Sequence, residues 1–453
     1  MTMTTTERLV GGFDRVTGPD ESYHLAERLF GLSAPIQFLW VFTTDPGDSE
    51  VLRLRDQLSA GPLNRKVRRA TVPFARDRWV RVDDVPDVAI DDKPIGDNDI
   101  ASWLDTRVRE GELAPAAGRG WRLDAARTRS GKLVLSLLVS HMISDGEGVY
   151  AALAAAQAGT SQNRLPTRAE TGGRGGRRAD VVDAAGQLLA AARALRILGG
   201  ALRNRTKTPS PSRRAAPSTE LSPDAPGPDT TLVILDVDRE RWAGTAREHG
   251  GTTNSLFTAV LAGLVQRTDI PVADQLRVCM AVSKRESGDE RANASGGVWI
   301  RIDGPVSPQR GLADIRALSK QAFIDYADAD SDTMADNMQP VVRLLPGRLI
   351  GKLMQSVPGP DTTVSNLGVV PPGALRLGTE TAESFGIRAI VRGRPIANRR
   401  AQGPAVAAWA VEYGDKVTIT VFGIHPDHFG DVGTLRAQIG EELSSWGLPY
   451  TFW

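Results

Sequence analysis

The feature that most constrains the fold is a change of composition in the middle of the chain. Residues 159–228 are dense in Gly, Pro, Ser, Thr and Arg, and between positions 162 and 217 twelve basic residues stand against three acidic ones. Within this segment, residues 179–202 have the composition of a helix. Such a composition predicts a long, partly disordered crossover between two folded halves. We therefore expect an N-terminal lobe (1–158), a crossover (159–228) and a C-terminal lobe (229–453).

Both predicted lobes mix strands with helices, which predicts a mixed α/β fold. Residues 132–140, KLVLSLLVS, are nearly all apolar, as expected for a strand buried on both faces. Further strand-like runs lie at 35–42, 231–237, 276–282 and 297–302, and helix-like stretches at 51–58, 147–158, 239–248 and 256–265. Residues 405–413 and 416–424 flank a Gly-Asp pair, which predicts a β-hairpin.

The composition excludes several classes of protein. The chain has 453 residues, 41% of them apolar, enough to bury a core without disulfides. Its 55 basic and 54 acidic side chains nearly balance, which argues against a nucleic-acid-binding protein. Cys279 is the only cysteine, so an intrachain disulfide and a multi-cysteine metal site are excluded. With no signal-peptide pattern and no long apolar run, we expect a soluble, cytoplasmic protein.

The basic crossover has two interpretations. The simpler one is a solvated linker, because exposed charge keeps a mobile segment in water. The more specific interpretation is that the basic segment binds a phosphate-rich ligand or an anionic membrane surface. In the second case the protein would attach peripherally to the inner face of the membrane.

Histidine chemistry has five candidates. For His24 and His249 we expect surface or helix-capping roles, and one H-x-x-H pair, His425 and His428, is too little to predict a metal site. His141 differs because it directly follows the buried strand and precedes a glycine-containing turn. A strand end holds a side chain rigidly at a crevice, where a neutral imidazole is able to act as general base.

The segment 140–146, S-H-M-I-S-D-G, resembles the H-H-x-x-x-D-G signature of the CoA-dependent acyltransferase superfamily. This superfamily includes chloramphenicol acetyltransferase, peptide-synthetase condensation domains, wax ester synthase/diacylglycerol acyltransferases and mycobacterial polyketide-associated acyltransferases. The segments 253–256, 281–285 and 364–368 are similar to further motifs of the family, and Asn293 falls where a G-N-type turn is expected. Ser140 replaces the first histidine, and the D-F-G-W-G loop of the plant branch is absent, which favours the lipid or natural-product branches.

The resemblance implies two chloramphenicol-acetyltransferase-like lobes with an active-site tunnel between them. His141 would be the catalytic base, and Asp145 would pair with Arg285 and hold the turn at Gly146. The substrate-binding residues would be Ser140, Ser365 and Asn366. The donor would be acyl-CoA or an acyl carrier protein, whose phosphopantetheine is substrate rather than cofactor. The acceptor would be a hydroxyl of a lipid, glycolipid or natural product, and the protein a monomer.

The residues themselves agree with transfer that involves no covalent acyl-enzyme. Cys279 lies inside an apolar run, where a buried, inert thiol is expected, and the chain has neither a G-x-S-x-G elbow nor a Walker A motif. Two alternatives stay open beside an ester-forming transferase. One is a condensation-type, amide-forming enzyme, and the other is a non-catalytic binding protein on the same fold, which the replacement at Ser140 would suit.

Overall fold

The computed structural model describes residues 14–203, 230–270, 275–286, 288–328, 334–346, 349–350 and 359–453. The helices are α1 Gly18–Phe30, α2 Asp48–Ser59, α3 Ile100–Glu110, α4 Gly146–Ala158, α5 Gly173–Arg203, α6 Arg239–Glu248, α7 Thr253–Gln266, α8 Ala313–Asp328, α9 Met334–Arg343, α10 Ile396–Ala401, α11 Pro426–Phe429 and α12 Val432–Ser445. The strands of the first half are β1 Pro35–Phe42, β2 Arg65–Arg68, β3 Arg78–Arg81, β4 Val88–Ile90, β5 Trp121–Arg127 and β6 Leu133–Ser140. The strands of the second half are β7 Thr231–Asp238, β8 Gln275–Ser283, β9 Ser295–Asp303, β10 Thr362–Val369, β11 Arg376–Leu377, β12 Glu380–Thr381, β13 Ser384–Ala389, β14 Val406–Tyr413, β15 Lys416–Gly423 and β16 Tyr450–Phe452.

Two large mixed sheets organise these elements. The first has the order β13-β1-β6-β5-β4, and the second has the order β16-β7-β15-β14-β10-β8-β9. Each residue of β1 and β6 is buried, which confirms the prediction of a strand covered on both faces at 132–140. The hairpin is confirmed as well, since β14 and β15 pair antiparallel around Gly414 and Asp415. The predicted mixed α/β class is therefore confirmed.

The second half of the chain contributes a strand to the first sheet. Strand β13 belongs to the second half but pairs antiparallel with β1 over six registered residues, as the edge strand of the first sheet. Its Phe385 packs edge-on against Trp40, whose indole donates a hydrogen bond to the Ala374 carbonyl at 2.7 Å. The apolar core of the first lobe is thus completed by residues far beyond position 228. The sequence-based limits at 158 and 228 did not include this return of the chain.

The crossover contains a well-packed helix. Helix α5 confirms the helix predicted at 179–202 and begins six residues earlier than expected, at Gly173. Its inner face buries Ala191 and Ala194 in a small cluster with Val341 of α9. Residues 204–228 of the predicted crossover lie outside the described residues. No helix in the described part of the chain is both long enough and apolar enough to cross a bilayer.

Candidate active site

The turn between β6 and α4 fixes the position of His141. The His141 backbone N–H donates to the Ala34 carbonyl at 2.9 Å, which ties the end of β6 to the residue preceding β1. Asp145 then caps α4 by accepting a hydrogen bond from the Gly148 N–H at 2.8 Å. The imidazole is therefore held between a buried strand and a capped helix, as expected from its place in the sequence.

Asn293 fixes the tautomer of this histidine. Its side-chain nitrogen donates to two groups that only accept, the Asp20 carboxylate at 2.9 Å and the His141 carbonyl at 2.8 Å. The Asn293 Oδ1 atom therefore faces His141 Nδ1, at 3.0 Å. An amide oxygen accepts only, so Nδ1 carries the proton and Nε2 keeps a free lone pair. This is the tautomer that a general base needs.

Helix α1 contributes two residues that the sequence did not indicate. Tyr23 stacks on the His141 ring, with centroids 4.4 Å apart and planes 20° apart. Asp20 is buried and accepts hydrogen bonds from the backbone and side chain of Asn293, and also from Thr17 and from the Trp79 indole. Burial raises the pKa of Asp20, and these hydrogen bonds oppose that shift. Asp20 thus orients Asn293, which in turn orients His141.

Burial favours the neutral form of the His141 imidazole. Burial lowers the pKa of His141 below its usual value of 6.5, because a charged ring loses hydration there. Three groups oppose this shift: the backbone carbonyl of His141 itself, the Asp145 carboxylate and the Asn293 side chain. A neutral base with a fixed tautomer is ready to take a proton without first losing one.

The predicted ion pair between Asp145 and Arg285 is present. The Arg285 Nη2 atom lies 2.8 Å from Asp145 Oδ1; the Asp145 side chain is buried, and the Arg285 side chain is 10% exposed. The same guanidinium donates to the carbonyls of Asp289, Arg291 and Ala292, so one side chain holds the backbone of the residues just before Asn293. The second carboxylate oxygen of Asp145 accepts from the Ala294 N–H at 2.6 Å. The pair therefore joins the two halves of the chain immediately beneath the histidine.

A cavity of about 350 Å³ opens beside His141 between the two sheets. Ser365 of β10 lies in its wall, as predicted, and Gly146 faces it next to Leu367. A Cβ atom at Gly146 would lie 2.6 Å from the Leu367 Cδ2 atom, so the turn tolerates little beyond a hydrogen there. The far wall is apolar, with the following side chains from β1, β13, β14, β15 and the loops after them: Ile36, Ile387, Ile390, Val391, Ala407, Trp409, Phe422 and Ile424.

Two of the predicted substrate-binding residues do not line this cavity. Ser140 is buried, and its hydroxyl accepts a hydrogen bond from the Met142 N–H at 3.3 Å within the turn. The Asn366 side-chain oxygen accepts from the Gly368 N–H at 2.9 Å and stabilises an irregularity at the end of β10. Both side chains stabilise the backbone near the cavity, and neither forms part of its wall.

Among the described residues, the other candidate reactive groups, Cys279, His425 and His428, do not line this cavity. Cys279 lies in β8, and burial raises the pKa of its thiol to about 11, so the thiolate is scarce at neutral pH. Within the part of the chain that the structure describes, no three His, Cys, Asp or Glu side chains are grouped to hold a metal ion. His425 and His428 pack against each other with ring centroids 4.9 Å apart.

Several solved structures share this architecture. One is wax ester synthase/diacylglycerol acyltransferase from Marinobacter aquaeolei VT8, at 15% identity over 96% of this chain and 100% of that chain, with a TM-score of 0.54. Another is polyketide synthase associated protein 5 from Mycobacterium tuberculosis, at 12% identity over 96% and 97% of the two chains, TM-score 0.54. A third is the first condensation domain of the CDA synthetase, at 14% identity over 96% of each chain, TM-score 0.57.

These similarities establish the fold. Identities of 12–15% over nearly the whole chain show the two-lobed fold that these three proteins share, as the sequence predicted. Neither the family models nor the curated protein sequences give a match to this chain.

Proposed function

We propose that this protein is an acyltransferase of the CoA-dependent acyltransferase superfamily, which moves an acyl group from a thioester to a hydroxyl. The observation that carries the proposal is the state of His141. Its Nδ1 atom faces the Asn293 side-chain oxygen at 3.0 Å, it lies at the cavity between the two sheets, and burial lowers the pKa of its imidazole. The donor in this proposal is acyl-CoA or an acyl carrier protein, and the thioester arrives as substrate.

The reaction needs only one proton acceptor. His141 Nε2 takes the proton of the acceptor hydroxyl while its oxygen attacks the thioester carbonyl carbon. The tetrahedral intermediate then expels the thiolate, which receives that proton, so the products are an ester and a free thiol. General-base assistance of this kind contributes roughly 10²–10⁴-fold, and holding two substrates in contact contributes further.

The cavity wall favours an apolar substrate group. Among the described residues, the only ionisable side chains that line the cavity are those of Tyr23, His141 and Asp145. The Asp145 carboxylate is already bound by Arg285 and by backbone N–H groups. Ligand pockets usually measure about 300–1,000 Å³, so this cavity suits a single chain or ring. A lipid or natural-product acyl group or acceptor fits this surface better than a charged one.

Thiol release tests the proposal directly. Purified protein is mixed with a panel of acyl-CoA thioesters and hydroxyl acceptors, and free thiol is followed with a thiol-reactive dye. We expect acceptor-dependent release that falls at least 10²-fold in His141→Ala, with folding unchanged. Cys279→Ser is the matched control and keeps its activity, because no acyl-enzyme forms on the thiol.

The outcomes separate the alternatives. Release that requires an amine acceptor on a carrier protein identifies a condensation-type, amide-forming enzyme. Saturable binding of the thioester without release from any donor identifies a non-catalytic binding protein. Turnover of His141→Ala at the wild-type rate refutes the mechanism itself.

A further inference from the structure

The outer face of α5 exposes a strip of large apolar side chains. Five residues are between 45% and 63% exposed: Val181, Val182, Leu188, Leu189 and Leu195. Positions 181, 188 and 195 are seven residues apart, as are 182 and 189, so they form two adjoining lines along one side of the helix. The strip extends over about 21 Å, given a rise of 1.5 Å per residue. A contiguous apolar surface of this kind indicates an interaction site.

The opposite face of α5 is firmly attached to the N-terminal lobe. Asp180 forms ion pairs with Arg15 at 2.9 Å and with Arg78 at 3.2 Å, and Asp183 pairs with Arg76 at 2.7 Å. Both aspartates are buried. The helix is therefore held in one orientation, and its apolar strip faces outward because the other side is already occupied.

The charge along the same outer face is positive. Arg174, Arg177 and Arg178 are exposed before the strip, and Arg193 and Arg196 are exposed at its end. The only carboxylates between residues 173 and 203 are the two aspartates that are buried in ion pairs. The outer face thus presents apolar side chains bracketed by arginines, with no negative charge to balance them.

We propose that this face of α5 binds the surface of an anionic lipid bilayer. An apolar strip flanked by cationic side chains is the pattern of a helix that lies in the plane of a membrane interface. The valines and leucines would enter the boundary between headgroups and acyl chains, while the arginines reach the phosphates. A convex helix face offers no groove for a peptide, and its unbalanced charge opposes packing against a second copy of itself.

Vesicle flotation tests this inference with the full chain. We expect binding to vesicles of phosphatidylcholine with one-third phosphatidylglycerol, and about ten-fold weaker binding to pure phosphatidylcholine. The double variant Leu188→Glu/Leu189→Glu should lose at least ten-fold in partitioning. Arg177→Ala/Arg178→Ala should lose about five-fold per arginine at low salt. Much of that difference should disappear at 0.5 M salt, where exposed charges are screened.

Matched variants make the result decisive. Val85 and Val432 are similarly exposed but lie outside α5, and Val85→Glu/Val432→Glu should bind vesicles like the unaltered protein. Ala185→Leu, which adds an apolar side chain one turn from Val181 and Leu188, should strengthen binding. Equal binding to neutral and anionic vesicles, or none to either, overturns the proposal. A Leu188-dependent dimer in light scattering overturns it in favour of a second copy of the chain.

Discussion

At the scale of single residues, the state of His141 is decided by neighbours that are remote in sequence. Asn293 holds its Nδ1 proton, Asp20 orients Asn293, and Tyr23 stacks on the ring. None of these three takes a proton in the proposed reaction. Each instead removes an alternative orientation or tautomer of the imidazole, so the ring keeps the state that a general base needs.

The pH dependence of kcat/KM should report this arrangement. Because burial lowers the pKa of His141, the neutral base is present at and above pH 6.5, and activity should fall only as the pH drops through that lowered pKa. Asn293 stabilises the protonated ring, so Asn293→Ala should lower that pKa further and shift the acid limb to lower pH. The plateau should also fall about ten-fold or more, because the Nδ1–H tautomer is no longer fixed.

Asn366→Ala is the control for this experiment. Asn366 lies on β10 near the cavity but makes its hydrogen bond to Gly368. Its replacement should leave the position of the acid limb unchanged. An unshifted limb in Asn293→Ala would show that Asn293 supports only the fold.

At the scale of elements, the β6–α4 turn and the 285–294 loop form one unit. Asp145 caps α4, accepts from the Ala294 N–H and pairs with Arg285, so one carboxylate joins a helix, a loop and a cation. The position of Asn293 depends on that loop, and the orientation of His141 depends on Asn293. A change at Asp145 should therefore affect stability and catalysis together.

Asp145→Ala should destabilise the protein by about 3–5 kcal/mol, because the largely buried Arg285 guanidinium would lose its only carboxylate partner among the described residues. Asp145→Ala should also lower activity, whereas His141→Ala should lower activity and leave stability unchanged. Asp314→Ala provides the comparison, since its pair with Arg310 is exposed and is worth at most about 1 kcal/mol. Urea denaturation of the three variants measures the difference, and similar midpoints for Asp145→Ala and Asp314→Ala would contradict the anchoring role.

At the scale of the whole molecule, the lobes are joined by more than a linker. Strand β13 completes the first sheet, and the Thr420 hydroxyl of β15 donates to the Ile387 carbonyl of β13 at 2.5 Å. The largely buried Asp145–Arg285 pair is a second connection. The first lobe cannot lose β13 without exposing the edge of β1 and the side chains of its core.

We therefore expect one cooperative unfolding transition. Hydrogen exchange at rising urea should show β6 of the first sheet and β15 of the second sheet reaching the same opening free energy, since β13 bonds to β15 and pairs with β1, the neighbour of β6. Mass spectrometry of peptides from both strands makes the measurement. Two well-separated midpoints would show that the lobes unfold independently.

Local patterns explain what was predictable from the sequence. Strands β1 and β6 and the β14–β15 hairpin follow from runs of a few residues, and their limits were predicted to within one residue. The Asp145–Arg285 pair followed from motif resemblance. The contact between Asp20 and Asn293 spans 273 positions, and β13 pairs across more than 340, so no local periodicity encodes either. Such contacts are selected by packing once both sheets exist.

The place of β13 also bears on how the protein is made. On the ribosome, β1 and β6 emerge about 250 residues before Ala389 completes their sheet. At roughly 5–20 residues per second, that interval lasts on the order of 10–50 s. Through that time the nascent first lobe presents an unpaired, strongly apolar strand edge, the kind of surface that aggregates or recruits chaperones. The yield of active protein should therefore depend on chaperone supply and on growth temperature more than the stability of the finished fold would indicate.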